Sequence, residues 1–145
     1  MIILNPLKLA KFLKRKFGQN VDIHQVIEYF SIILLEVDTR NFLGGYRLIE
    51  RRRIIQINQN LNSHLKLCVL WHEIGHALCH RTIDCYYTAN KTRLKTSVYE
   101  VEAEQFAAEM LLPEQLDEEM YGRTAKEIAA YYGVTENLVE MKWGK

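Results

Sequence analysis

The chain is poor in cysteine, in net charge and in long apolar runs, and each shortage closes off a class of function. Its three cysteines, Cys68, Cys79 and Cys85, are odd in number and form no C-x-x-C pair. That pattern argues against a disulfide framework and against a zinc ribbon, and leaves reduced, mostly buried thiols. Lys and Arg number 19 against 18 Asp and Glu, a net charge of +1, so no strong global attraction to nucleic acid or an anionic membrane is implied. No apolar run is long enough to span a bilayer. The opening Met1-Ile2-Ile3-Leu4-Asn5-Pro6 is apolar, but lysines from Lys8 onward cut it short of a signal-peptide core, and no small-residue cleavage site follows. A soluble, cytoplasmic protein with no membrane partner is expected. Internal repeats and low-complexity segments are also missing, and 145 residues suit a single domain, 1–145, with an ordinary buried core.

What is present reads in four stretches. In 1–30, Leu7, Ala10, Phe12, Leu13 and Phe17 recur at helical spacing among lysines up to Gly18, which predicts a surface helix with its apolar stripe on the core. A second short helix fits Asp22 to Phe30, capped by Asp22. In 31–58, Ile32 to Val37, Tyr46 to Ile49 and Arg53 to Asn58 read as strands of a small antiparallel sheet. Gly44-Gly45 marks a turn there, and the charged Glu50 to Arg52 a solvated hairpin tip. In 59–113, cap residues at Asn60 to Ser63 open a helix from about Leu65 to about Arg81, and a second core helix runs from Ser97 until Pro113 stops it. Residues 82–96 between them read as a loop over the site. In 114–145, an acidic stretch precedes Thr124-Ala125-Lys126-Glu127, a capping box that opens a helical tail.

The stretch that dictates a chemistry is Leu70 to Leu78. His72 and His76 are four residues apart, so on a helix they project about 40° apart around the axis and about 6 Å along it, and both imidazoles can grip one ion. Glu73 lies beside them, able to address a water on that ion without being a ligand. This H-E-x-x-H arrangement reads as two zinc ligands plus a general base.

A catalytic zinc takes three protein ligands and keeps one position open. A third histidine ten residues after His72 would complete one version of the motif, but Thr82 stands there. His80 is two residues short of that position and turned further round the helix, which suits a surface or supporting role. Cys68 or Cys79 would require one straight helix to surround the ion, which tetrahedral geometry forbids. A carboxylate from the second core helix remains. Glu100, Ala103, Glu104 and Ala107 fall at i, i+3, i+4 and i+7, and the alanines permit close approach to a neighbouring helix. On that face Glu100 can ligate the metal and Glu104 can orient a histidine from behind, while Glu102 points nearly opposite.

The segments H-E-I-G-H-A-L-x-H and E-V-E-A-E-Q-F-A-A-E-M-L-L-P together resemble the ImmA/IrrE family of small bacterial metallopeptidases, from about Ile54 to Pro113. The resemblance implies an α+β, small gluzincin-like domain, with a short antiparallel sheet packed on the metal-site helices and further helices at the C-terminal end. It implies Zn2+ as cofactor, His72, His76 and Glu100 as metal ligands, and Glu73 as catalytic base, with Glu102 the alternative to Glu100. It further implies a zinc endopeptidase whose partner is a protein substrate, a helix-turn-helix repressor of a phage or mobile element. Two residues depart from the family pattern: Trp71 stands where alanine is common, and Glu104 where asparagine or aspartate is common. Substrate added as a strand would use the Arg53 to Asn58 segment as its edge. Tyr86, Tyr87 and Tyr99 are the tyrosines available to an oxyanion, although tyrosines commonly serve packing.

The tail supports a competing reading. Ala129, Gly133, Val134, Thr135 and Val139 follow the spacing of a helix-turn-helix, which would make the chain a non-hydrolytic zinc-binding regulator acting on a repressor or DNA through its C-terminal helices. The second helix of that pair, however, carries Glu136 and Glu140, with Lys142 its one base, and phosphate binding wants the reverse sign. A structural or partner-docking helix pair is the expectation, with no direct DNA binding.

Overall fold

The computed structural model describes residues 5–87 and 97–144. Helix α1 (Pro6–Phe17) starts where the Asn5 side chain accepts from the N–H groups of Leu7 and Lys8, at 2.8 and 3.2 Å. Proline at its first position lacks a donor that would have no partner anyway. The stripe it buries is Leu9, Ala10 and Leu13, while Leu7 and Phe12 stay exposed, so the core-facing side is turned from the predicted one. Helix α2 (Ile23–Tyr29) is capped by Asp22, which accepts from the His24 N–H at 2.9 Å.

The sheet contains β1 (Ile33–Val37), β2 (Gly44–Ile49), β3 (Arg52–Asn58) and β4 (Cys85–Tyr87), in the order β1-β3-β2-β4. It is mixed, whereas a wholly antiparallel sheet was expected: β1 runs parallel to β3, and β2 is antiparallel to both β3 and β4. The cause lies in the link from β1 to β2, which steps over one strand position and leaves the slot that β3 then fills. Asn58 holds that link in place. Its Nδ2 donates to the carbonyls of Thr39 and Phe42 at 2.8 and 3.2 Å, and its backbone N–H donates to Leu43. At the β2–β3 turn, Glu50 and Arg51 have φ of 50° and 68°, the paired left-handed values of a two-residue type I′ hairpin. Arg53 leaves the tip and donates from Nε to the Ala77 carbonyl at 2.8 Å.

Two further expectations are corrected here. The predicted substrate edge, Arg53 to Asn58, is the interior strand β3; among the described residues, β4 is the last strand on the side of β2. Strand β4 falls within the 82–96 stretch read as a loop, because three residues carry no periodicity to detect; residues 88–96 lie outside the described residues. Gly44-Gly45 is part of β2 and not a turn.

Helix α3 (Ser63–Cys79) is capped by Asn62 and is buried continuously from Cys68 to Leu78, as befits a helix apolar on every side. Helix α4 (Val98–Leu111) is capped by Ser97 and lies against α3 and α1. The crossing of α3 and α4 is close because both helices are small there. A Cβ added at Gly75 would stand 3.2 Å from Ala103 Cα and 3.1 Å from Phe106 Cδ2. One turn back, Trp71 fills the wider gap, its ring edge-on to Phe106 with centroids 5.9 Å apart, which accounts for a bulky residue just before His72.

The tail forms α5 (Ala125–Tyr132) and α6 (Glu136–Trp143). The capping box at Thr124 and Glu127 is formed, and Gly133 adopts the left-handed conformation (φ 71°) that ends α5. Helix α6 packs on α4. Its base, Lys142, is buried and bonded to Glu109 and Glu114 at 2.8 and 3.1 Å, so it is not offered to a phosphate. Among the described residues, no helix is long and apolar enough to cross a membrane.

Candidate metal centre

Helices α3 and α4 bring three of the predicted residues to one point. His72 Nε2 lies 3.0 Å from Glu100 Oε1, His76 Nε2 lies 3.1 Å from Glu100 Oε2, and the two Nε2 atoms are 3.2 Å apart. Glu100 sits in the first turn of α4, and all three side chains are buried. Ligands around a tetrahedral zinc at about 2.0–2.1 Å are roughly 3.3 Å from one another. The spacing and the two-imidazole, one-carboxylate donor set therefore fit a hydrolytic zinc ion.

Each imidazole is held from behind by a different device. His72 Nδ1 faces Glu104 Oε1 at 2.9 Å, so the extra reach of Glu104 over aspartate is used to meet the ring directly. His76 Nδ1 faces His80 Nδ1 at 3.1 Å, and His80 Nε2 faces Glu102 Oε1 at 2.7 Å. With Nε2 of His76 turned to the metal position, its Nδ1–H donates to His80, whose own Nε2–H donates to Glu102. Both outer carboxylates thus fix a ring tautomer, which is how such partners sharpen ligand orientation. Glu102, the alternative third ligand, is engaged with His80. His80, expected at the surface or behind the other histidines, is buried and links Glu102 to His76, a chain that was not foreseen.

Charge follows from this packing. Burial works against protonation of His72, but hydrogen bonds to Glu100 and Glu104 outweigh it and raise the imidazole to about 10. Burial dominates at His76 and lowers it to about 4. Glu100 is opposed by burial, yet hydrogen bonds from both rings hold its carboxyl well below the usual carboxylate range. The His72 ring, hydrogen-bonded to Glu100 and Glu104, is therefore the imidazole of the pair that favours holding a proton.

Glu73 is fully buried, and β2 lies across it. A Cβ at Gly44 would be 3.3 Å from Glu73 Cγ and 2.6 Å from Val69 Cγ1, so glycine at 44 is what lets the strand approach. Gly45 plays the same part against the Tyr86 ring. These glycines escaped the sequence reading because a close approach leaves the same residue signature as a turn. Of the three tyrosines considered, Tyr87 is the one against a predicted ligand, its ring centroid 4.5 Å from that of His72. Tyr99 packs on His80, and Tyr86 reaches Gln56 at 3.4 Å.

Comparison with known proteins agrees with this geometry. Residues 27–143 match the family model of the IrrE N-terminal-like domain, a peptidase family. A protein of Bacillus phage phi105 named uncharacterized immunity region protein 2 is 30% identical over 122 residues, covering 82% of this chain and 77% of that protein. Metallopeptidase ImmA of Bacillus subtilis (strain 168) is 29% identical over 127 residues, covering 83% of this chain and 74% of that protein. The chain belongs to the IrrE N-terminal-like family of metallopeptidases.

Proposed function

We propose that the protein is a cytoplasmic zinc endopeptidase that cuts a helix-turn-helix repressor of a phage or mobile element. His72, His76 and Glu100 hold the ion, and Glu73 is the catalytic base. The observation that carries this reading is the convergence of two imidazole nitrogens and one carboxylate within 4.8 Å, with Glu73 next to His72 on the same helix. A repressor substrate draws support from the kind of relative the chain has, a phage immunity-region protein.

A zinc ion held there supplies a Lewis acid that brings the pKa of water towards about 7 and polarises a peptide carbonyl. Glu73 would be the group that accepts a proton from the attacking water and returns it to the departing amine. Glu104 and the Glu102–His80 pair keep the two imidazoles aimed while charge changes in front of them. The substrate backbone adds as a strand on the β4 side of the sheet, and Tyr87 closes the floor beside His72.

The test is to mix purified protein of measured zinc content with the repressor encoded beside its gene and to identify products by mass spectrometry. Cleavage at one internal bond, suppressed by a chelator and restored by zinc, is expected. An intact repressor at stoichiometric zinc, under conditions where binding is confirmed, contradicts the proposal.

A further inference from the structure

Cys85 differs from the other two cysteines in its surroundings. Cys68 and Cys79 lie within α3, where burial pushes their thiols up to about 11 and about 12. Cys85 is half-buried on β4, paired with Tyr46 of β2, while Tyr87 pairs with Gly44. Alternate residues of a strand share a face, and Tyr87 touches His72, so Cys85 is on the face of β4 turned to the metal helix. There a carboxylate oxygen of Glu73, a ring nitrogen of His76 and the Cys85 Sγ lie within 4.8 Å of one another. This is the same closeness that joins His72, His76 and Glu100, and these are the two such groups among the described residues. His76 belongs to both.

We propose that the ion has a second seat, made by Glu73, His76 and Cys85, and that the two seats are alternatives because each needs His76. The inference rests on the metal centre proposed above and adds to it a thiol-held resting state. A thiolate, an imidazole and a carboxylate form a donor set suited to a borderline-soft divalent cation such as zinc or cobalt, and the thiol loses its proton on binding. In this seat Glu73 is a ligand. One of its oxygens is then held by the cation, which lowers the basicity of the carboxylate, so the share of chains with the ion there is latent while chains with the ion among His72, His76 and Glu100 stay active. Cys85 is half-buried, and because it is the ligand that belongs to this seat alone besides Glu73, a change at its thiol shifts the ion between the two seats.

The test uses the full chain loaded with one equivalent of zinc, as wild type and as Cys85→Ala, with zinc X-ray absorption as the readout. The wild type is expected to show a partial sulfur shell at about 2.3 Å besides nitrogen and oxygen at about 2.0–2.1 Å, as the ion divides between the two seats, and the variant to bind one ion through nitrogen and oxygen alone. A wild-type site with no sulfur overturns the second seat and leaves the proposed function standing. Sulfur that persists in the variant also overturns it, since Cys68 or Cys79 would then be the donor. Failure of both proteins to bind zinc overturns the metal centre itself. A second measurement needs no variant: alkylation of wild-type Cys85 by iodoacetamide, followed by peptide mass spectrometry, should slow with one equivalent of zinc in proportion to the share of chains whose ion sits at the thiol. An unchanged rate counts against the proposal.

Discussion

Gly44→Ala is the perturbation whose size is best fixed by the structure. The added Cβ would stand 2.6 Å from Val69 Cγ1, 3.3 Å from the Gln56 carbonyl oxygen and 3.3 Å from Glu73 Cγ. Val69 is β-branched and fully buried in α3, so its methyl cannot turn aside without leaving its helical rotamer. The strand or the helix must move instead. Overpacking of this kind costs about 1–3 kcal/mol. Gly44 has no left-handed φ, so alanine returns about 0.4–1 kcal/mol by restricting the unfolded chain. A net loss of roughly 0–2.6 kcal/mol follows, visible as a lower urea midpoint with an unchanged slope. Val69→Ala removes the offending methyl, so the double variant should be less destabilised than the sum of the singles by about 0.5–3 kcal/mol. Strict additivity of Gly44→Ala with Val69→Ala would refute the claim that glycine is there to let β2 approach the helix that carries His72 and His76.

Two further predictions are read in the Cys85→Ala background, where only the set of His72, His76 and Glu100 remains. Glu104→Ala should weaken zinc binding about 10–100-fold in a chelator competition, because it leaves the buried Nδ1–H of His72 without an acceptor; an unchanged affinity would remove Glu104 from the account. Near pH 6, His76 (about 4) is already neutral while His72 (about 10) still carries its proton. Zinc must therefore displace one proton, and apparent affinity should rise about tenfold per pH unit from roughly pH 5 to 7. Calorimetry in buffers of different ionisation enthalpy measures this directly, and binding without proton release would contradict it.

How much of this was legible in the sequence differs by residue. That His72 and His76 would stand side by side was legible in their spacing of one helical turn, and that Glu100 would meet them was legible because Ala103 and Ala107 mark which face of its helix meets a neighbour. The link from Glu102 to His80 was not, since it depends on the axial offset between two helices, which no single-helix period encodes. The sheet order was hidden for a similar reason. Turn residues at Glu50 and Arg51 announce that β2 and β3 are neighbours, but nothing local says that β3 inserts between β1 and β2. The hydrogen bonds of Asn58 that secure this arrangement are made across the fold. Trp71, which departs from the family pattern, is explained only once Phe106 is beside it.

The central claim is that Glu73 is the base beside an ion held by His72, His76 and Glu100, and is not needed to hold that ion. Zinc content and cleavage of the neighbouring repressor, measured side by side in wild type and Glu73→Gln, test it most directly. The account predicts one zinc per chain in both proteins, with cleavage in the wild type alone, since the amide keeps the shape of the side chain but cannot accept the proton. A Glu73→Gln protein that cuts as the wild type does, or that loses its zinc, would contradict it.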